Sequence, residues 1–245
     1  MSKLPTEFVD LGDLRMAYCQ HGGGPALILL HGNSESKAIF NKYQTEHFPT
    51  FKTYALDSRG HGESKSKDKK LSIGQISDDV IKFCQAQSIK EAVVIGYSDG
   101  GNIALFLAKK APQLFKKLVA ISPNTLVSGT TDNSLRLFKR IIRVMTFLSK
   151  LGFNFEKYLM TFDLMMHDIG LSDDDLKSIK TKVKIIYAEK DMIKEDHIKD
   201  IAAAIPGCKL QKVMGCTHMS IIHNLDAINI MQEYLKWEEK DARSR

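Results

Sequence analysis

The chain has 245 residues, 43% apolar content and a formal net charge of +6. Length and apolar share suit one large α/β domain with a substantial core. No apolar run reaches the ~18 residues of a membrane span, and Met1–Glu7 lacks an apolar signal segment, so no membrane partner and a cytoplasmic protein are expected. The lysines are spread over Lys65 to Lys70, Lys109 to Lys117 and Lys177 to Lys184, without interleaved aromatics, so nucleic acid is not an expected partner. Cys19, Cys84, Cys208 and Cys216 lie far apart and form no CxxC pair, which points to reduced thiols and no metal site.

In chain order, two alternating runs, Phe8 to Leu11 and Leu14 to Tyr18, flank Gly12-Asp13 and predict a hairpin. Ala26 to Leu30 is continuously apolar, as a strand buried on both faces would be. It ends in His31-Gly32-Asn33-Ser34-Glu35-Ser36, whose serines offer N-caps to a helix running towards Glu46. Lys52 to Asp57 is the next strand and leads into Ser58-Arg59-Gly60-His61-Gly62-Glu63-Ser64. Ser72 opens a helix through Val80, Ile81 and Phe83.

Ala92 to Tyr97 is a short apolar, β-branched run ending in Gly96-Tyr97-Ser98-Asp99-Gly100-Gly101, and good helix formers follow at once. A serine at such a strand-turn-helix corner projects its hydroxyl out of the sheet, beside the free N–H groups and partial positive charge of a helix N-terminus. Gly96 and Gly100 leave room for the backbone to fold back, and Gly101 lets helix and strand pack closely. Ser98 is therefore the candidate nucleophile.

Leu118 to Ile121 is a further strand. From Asn124 to Lys180 the alternation gives way to a helical pattern rich in Met, Phe and Leu. Val183 to Ala188 and Lys209 to Met214 resume the strands, Asp196 to Ala204 is a helix, and Asn224 to Glu239 is a closing helix. Strands alternating with helices imply a mostly parallel, doubly wound sheet covered on both faces.

Three landmarks in order, His31-Gly32, the Asp57-Ser-Arg-Gly-His-Gly-Glu-Ser64 loop and Gly96-Tyr-Ser-Asp-Gly-Gly101, resemble the α/β-hydrolase superfamily over nearly the whole chain. The resemblance implies an α/β-hydrolase core at 1–123 and 181–245, with a helical cap insertion at 124–180. Arg59, His61 and Glu63 then brace their loop, with His61 a lesser alternative as base. The superfamily order of serine, acid, histidine points to Asp191, in Ala188-Glu189-Lys190-Asp191-Met192-Ile193, and to His218, in Cys216-Thr217-His218. Thr217 stands where relatives often have glycine. Asp196 and His223 are the runners-up, and His167 and His197 read as ordinary polar positions. The oxyanion hole would use the backbone amides of Asn33 and Asp99.

The Asp99 side chain has two readings: a carboxylate that pairs with a substrate ammonium, or a helix cap. Gly-Tyr-Ser-Asp-Gly-Gly is similar to the Gly-Trp-Ser-Asp-Gly-Gly of valacyclovir-hydrolase-like enzymes, a group that favours α-amino acid esters. The His-Gly-Gly-Pro-Gly of proline iminopeptidases is absent, and a serine stands where haloalkane dehalogenases carry aspartate. The expectation is a cofactor-free serine hydrolase of a small, partly hydrophobic ester, carboxylesterase-like, with α-amino acid esters as one candidate class. Its activity would fall as the pH drops through the titration of an imidazole base, ~6.5 when unperturbed. Other acyl chemistry on the same residues, or a non-catalytic ligand-binding member of the fold, are the alternatives.

Overall fold

The computed structural model describes residues 4–68 and 70–236. The expected hairpin is β1 (Glu7–Asp10) and β2 (Leu14–His21), closed by the Leu11 N–H donating to the Leu14 carbonyl oxygen at 2.8 Å. The remaining strands are β3 (Ala26–Leu30), β4 (Lys52–Leu56), β5 (Lys65–Ser66), β6 (Ala92–Tyr97), β7 (Phe115–Ile121), β8 (Lys182–Lys190) and β9 (Lys209–Thr217). They form one sheet in the order β1-β2-β4-β3-β6-β7-β8-β9, with β5 pairing off the path with β2. All pairs from β4 to β9 are parallel, and β2 joins β1, β4 and β5 antiparallel.

The helices are α1 (Ile73–Ala86), α2 (Asp99–Lys110), α3 (Asp132–Lys150), α4 (Glu156–Leu164), α5 (Asp173–Lys177), α6 (Glu195–Ala204) and α7 (Leu225–Leu235). The Ser72 side chain accepts from the Gln75 N–H, as a cap should, and Asn224 does the same for α7 through Ala227. The closing helix was expected to reach Glu239; its described part ends at Leu235, and 237–239 lie outside the described residues. The stretch 124–180 holds α3, α4 and α5 and, as expected, no strand among its described residues.

Why the apolar runs are continuous rather than alternating is visible in the core. Ile28 and Leu30 of β3, with Val94 of β6, pack against Ile76, Val80 and Phe83 of α1 and Leu105 of α2. Leu27, Leu29, Val93 and Ile95 point the other way, onto Phe40, Tyr43, Ile228 and Met231. Successive side chains of a strand alternate between faces, so a strand covered on both sides must be apolar at every position.

One expected element differs. The helix running towards Glu46 is instead a 3-10 turn at Lys37–Phe40 followed by a π-helical turn at Tyr43–His47. Neither serine caps it: Ser36 makes no side-chain cap bond, and the Ser34 hydroxyl donates to Asn33 Oδ1. Tertiary contacts set this backbone. The Lys37 N–H and Nζ both donate to the buried Asp57 carboxylate, at 2.7 and 2.8 Å. The Tyr43 hydroxyl donates to the Ile222 carbonyl, and Gln44 Nε2 donates to the Cys19 carbonyl. A smaller difference is β5, a two-residue strand where the sequence pattern predicts no element.

Candidate active site

Ser98 follows the last residue of β6 and precedes α2, with φ 54° and ψ −117°. Such a backbone is strained for a residue with a Cβ and persists only where packing dictates it. The glycines around it provide that packing. A Cβ on Gly96 would collide with the Gly100 carbonyl, and one on Gly100 would collide with the carbonyl of Leu30 in β3. Turn, helix start and neighbouring strand therefore meet at van der Waals distance.

Four parallel strands end at one rim, and their next residues meet there. His218 lies just past β9, and its Nε2 is 3.1 Å from Ser98 Oγ. Its Nδ1 is 2.6 Å from Asp191 Oδ1, with both side chains almost fully buried. An ionised Asp191 accepts a hydrogen bond from Nδ1–H, which fixes the tautomer that leaves Nε2 to accept from the Ser98 hydroxyl. Asp191 sits just past β8. It also accepts from the Ala188 and Ile193 amides, at 3.1 and 3.0 Å, and from the Ser122 hydroxyl. Burial pushes its carboxyl up, but bonds from His218, Ser122 and Ile193 outweigh burial and hold it below the ordinary aspartate range. The His218 carbonyl is tied down in turn by the Tyr97 hydroxyl at 2.9 Å.

The turn after β3 lies against Ser98: a Cβ on Gly32 would sit 3.2 Å from Ser98 Cβ. The backbone N–H groups of Asn33 and Asp99 have no acceptor among the described residues. The Asn33 side chain bridges two elements, donating to Asp99 Oδ2 at 2.9 Å and to the Thr161 carbonyl of α4 at 2.6 Å. Asp99 accepts weakly from Asn102 Nδ2 as well, at 3.4 Å, and burial raises its carboxyl above the ordinary range.

A cavity of about 170 Å³ opens on the His218 side of Ser98, lined by Glu35, Tyr97, Phe138, Phe162 and Met219. A smaller one of about 30 Å³ lies on the Asp99 side, and Ser98, Phe138, Met165 and Met192 border both. Larger depressions, such as one of about 670 Å³ beside Phe153 and Leu159, touch none of Ser98, His218 or Asp191. Among the described residues no group of three or more His, Cys, Asp or Glu side chains is arranged to hold a metal ion.

The other sequence candidates lie apart from this chain of bonds. Arg59 is buried in a two-point contact with Asp79 and also pairs with Asp13. His61 packs on His31 with ring centroids 5.1 Å apart, and Glu63 pairs with Lys37. Asp196 lies in the first turn of α6, His223 in a 3-10 turn before α7, and His197 Nε2 accepts from the Thr125 N–H. His167 is exposed beside Asp163. Sequence reasoning passed over Ser122, Tyr97 and Glu35. Ser122 carried one signal, its place just past a predicted strand; Glu35 carried none beyond its distance from His31-Gly32.

A model of the α/β hydrolase fold matches residues 25–146, about half of the chain. The chain belongs to the α/β-hydrolase superfamily. This α/β hydrolase is similar to the 2-(acetamidomethylene)succinate hydrolase of Mesorhizobium japonicum, 28% identical over 46% of this chain and 41% of the relative. It is also similar to the dihydrolipoyllysine-residue acetyltransferase component of the acetoin cleaving system of Cupriavidus necator, 31% identical over 51% of this chain and 35% of the relative. These matches span less than half the length of either relative. Among solved structures, an E-2-(acetamidomethylene)succinate hydrolase superposes with a TM-score of 0.80 over 96% of this chain and 100% of its own, at 17% identity, which is a likeness of fold.

Proposed function

We propose that this α/β hydrolase cleaves small carboxylic esters through a covalent acyl-enzyme on Ser98. The observation that carries the reading is the continuous path Ser98 Oγ, His218 Nε2, His218 Nδ1, Asp191 Oδ1, at 3.1 and 2.6 Å, anchored on a strained serine. In this reading His218 takes the Ser98 proton as Oγ bonds to the substrate carbonyl carbon. The carbonyl oxygen becomes an oxyanion held by the Asn33 and Asp99 amides. The carbon–oxygen bond to the alcohol then breaks, and His218 returns its proton to the leaving oxygen. Water, deprotonated by His218, releases the acid and restores Ser98. Asp191 stabilises the imidazolium in both halves.

The segment 124–180 acts as a cap over the core formed by 1–123 and 181–245. Supporting this, Phe138, Phe162 and Met165 from that segment border the space beside Ser98. The cavity volumes favour compact, partly apolar substrates, below the ~300 Å³ at which drug-sized pockets begin. α-Amino acid esters fit if the Asp99 carboxylate reads their ammonium, although Asn33 and Asn102 already use its oxygens. Four free cysteines, three of them buried, suit a cytoplasmic setting.

The test is labelling by a fluorophosphonate together with hydrolysis of p-nitrophenyl acetate. Ser98 should be the modified residue, and Ser98→Ala should abolish both. Labelling elsewhere, or turnover in Ser98→Ala, would sink the proposal. Because one relative is named as an acetyltransferase component, acyl transfer to another acceptor is the second reading. Added amine, alcohol or thiol acceptors that divert the acyl group from water would favour it.

A further inference from the structure

We propose that Glu35 forms a subsite for a positively charged group on the alcohol portion of the substrate. The inference rests on Ser98 as nucleophile and His218 as proton donor, because these set the direction in which the ester lies. His218 must reach the leaving oxygen, so the alcohol portion occupies the His218 side, the cavity of about 170 Å³. The acyl portion points across Ser98 into about 30 Å³, room for about two water-sized groups. The substrate is therefore asymmetric, with a short acyl group and a larger alcohol.

Glu35 stands in the larger cavity. Its Oε2 and Ser98 Cβ lie 3.0 and 3.2 Å from one point, the place a Cβ on Gly32 would take. They can be no further apart than those two distances laid end to end, which is the reach of a small substrate. Oε2 accepts from the Gly32 N–H at 3.0 Å, while Oε1 has no hydrogen-bond partner among the described residues. A carboxylate offers about four acceptor positions, so most of this one is unused. No Lys or Arg pairs with it among the described residues; the ionisable groups that act on it are His218 and Asp99. The walls around it are Tyr97, Phe138, Phe162, Met165 and Met219. Aromatic faces attract a cation with an apolar shell, and thioethers adapt to its shape. A carboxylate inside aromatic and thioether walls is a chemistry that selects an alkylammonium over a neutral group of equal size.

Glu35 also anchors its turn through Gly32, and Glu35→Gln separates the two roles. The amide oxygen can still accept from Gly32, but the negative charge is gone. The probes are two thioacetates of matched shape, the 2-(trimethylammonio)ethyl and the 3,3-dimethylbutyl thioester, with released thiol read by a thiol-reactive dye. The expected result is a wild-type kcat/KM preference for the charged ester, and a fall in that ratio by about tenfold in Glu35→Gln, the size of a partly screened attraction between two unit charges. Taking the ratio cancels the protonation of His218, which both esters share. Burial pushes the Glu35 carboxyl above the usual glutamate range, so the wild-type ratio should decline as the pH falls through that raised value, and the variant's ratio should stay level.

Equal use of both esters by the wild type, or an unchanged ratio in Glu35→Gln, would overturn the subsite. Ser98→Ala separates the two levels: thioester turnover that survives it overturns the reading of Ser98 instead. If neither thioester is turned over, calorimetric titration with tetramethylammonium decides. Binding that weakens about tenfold in Glu35→Gln supports the subsite, and no binding, or equal binding, removes it.

Discussion

Asn33 Nδ2 donates to Asp99 Oδ2 at 2.9 Å, joining the turn after β3 to the first residue of α2. The two residues whose amides are proposed to hold the oxyanion are thus locked to each other through their side chains. Asn33→Ala should lower kcat for p-nitrophenyl acetate by ~10-fold with little change in KM, a smaller loss than removing an oxyanion donor outright. Asp99→Asn keeps an acceptor for Asn33, and Asp99→Leu does not. Steady-state kinetics should rank the leucine variant well below the asparagine variant, and the reverse order would refute this positioning role.

Ser122 gives Asp191 a donor from the neighbouring strand end. Asp191 has a depressed folded-state pKa. Its contribution to stability is therefore present above the unfolded aspartate value of ~3.9 and lost as the pH falls through the lower folded value. Ser122→Ala should remove part of that contribution at neutral pH, about 1–3 kcal/mol for a buried carboxylate losing one partner. Urea melts at pH 7 and pH 3 measure it: the deficit should shrink at the acidic pH, and a constant deficit would point to lost packing instead.

His31 and His61 should make the protein acid-sensitive well above the carboxylate range. Burial holds both below the ordinary histidine value, His61 at about 4. The unfolded chain binds their protons first, near ~6.5, so stability falls as the pH drops below that value, for His61 down to about 4 and at up to ~1.4 kcal/mol per pH unit. His61 Nε2 is buried without a hydrogen-bond partner among the described residues, so replacing the ring costs no hydrogen bond at that atom. His61→Phe should flatten the slope between pH 6.5 and 4 in thermal melts, and an unaltered slope would assign it to other groups.

Gly100→Ala should prevent folding rather than merely reduce activity. Its Cβ would fall on the Leu30 and His31 carbonyls, which are backbone and cannot move aside without parting β3 from α2. Loss of soluble, cooperatively melting protein is the expected outcome. A folded, inactive variant would show that the turn can open.

Much of this was legible because it is local. The strands are unbroken apolar runs, Ser72 opens its helix three residues before Gln75, and Gly96 to Gly101 writes a turn that few other residue types could make. The positions of Asp191 and His218 after their strands were readable for the same reason, since a parallel sheet collects strand ends on one rim. The segment from Lys37 to His47 was misread because its backbone answers to Asp57, Ile222 and Cys19, far away in the chain.

The sequence by itself determined most of the strands and helices, though not the backbone of Lys37 to His47 or the short β5, and which serine lies at the strained corner. Short-range sterics and the period of apolar residues are sufficient for that. Only the tertiary structure decided that β7 lies beside β8, so that Ser122 meets Asp191, and that Glu35 turns back towards Ser98. It also decided that the space beside Ser98 divides into a large and a small side. These follow from strand order and from where Phe138, Phe162 and Met165 lie beside Ser98, both set by contacts across tens of residues that no local pattern encodes.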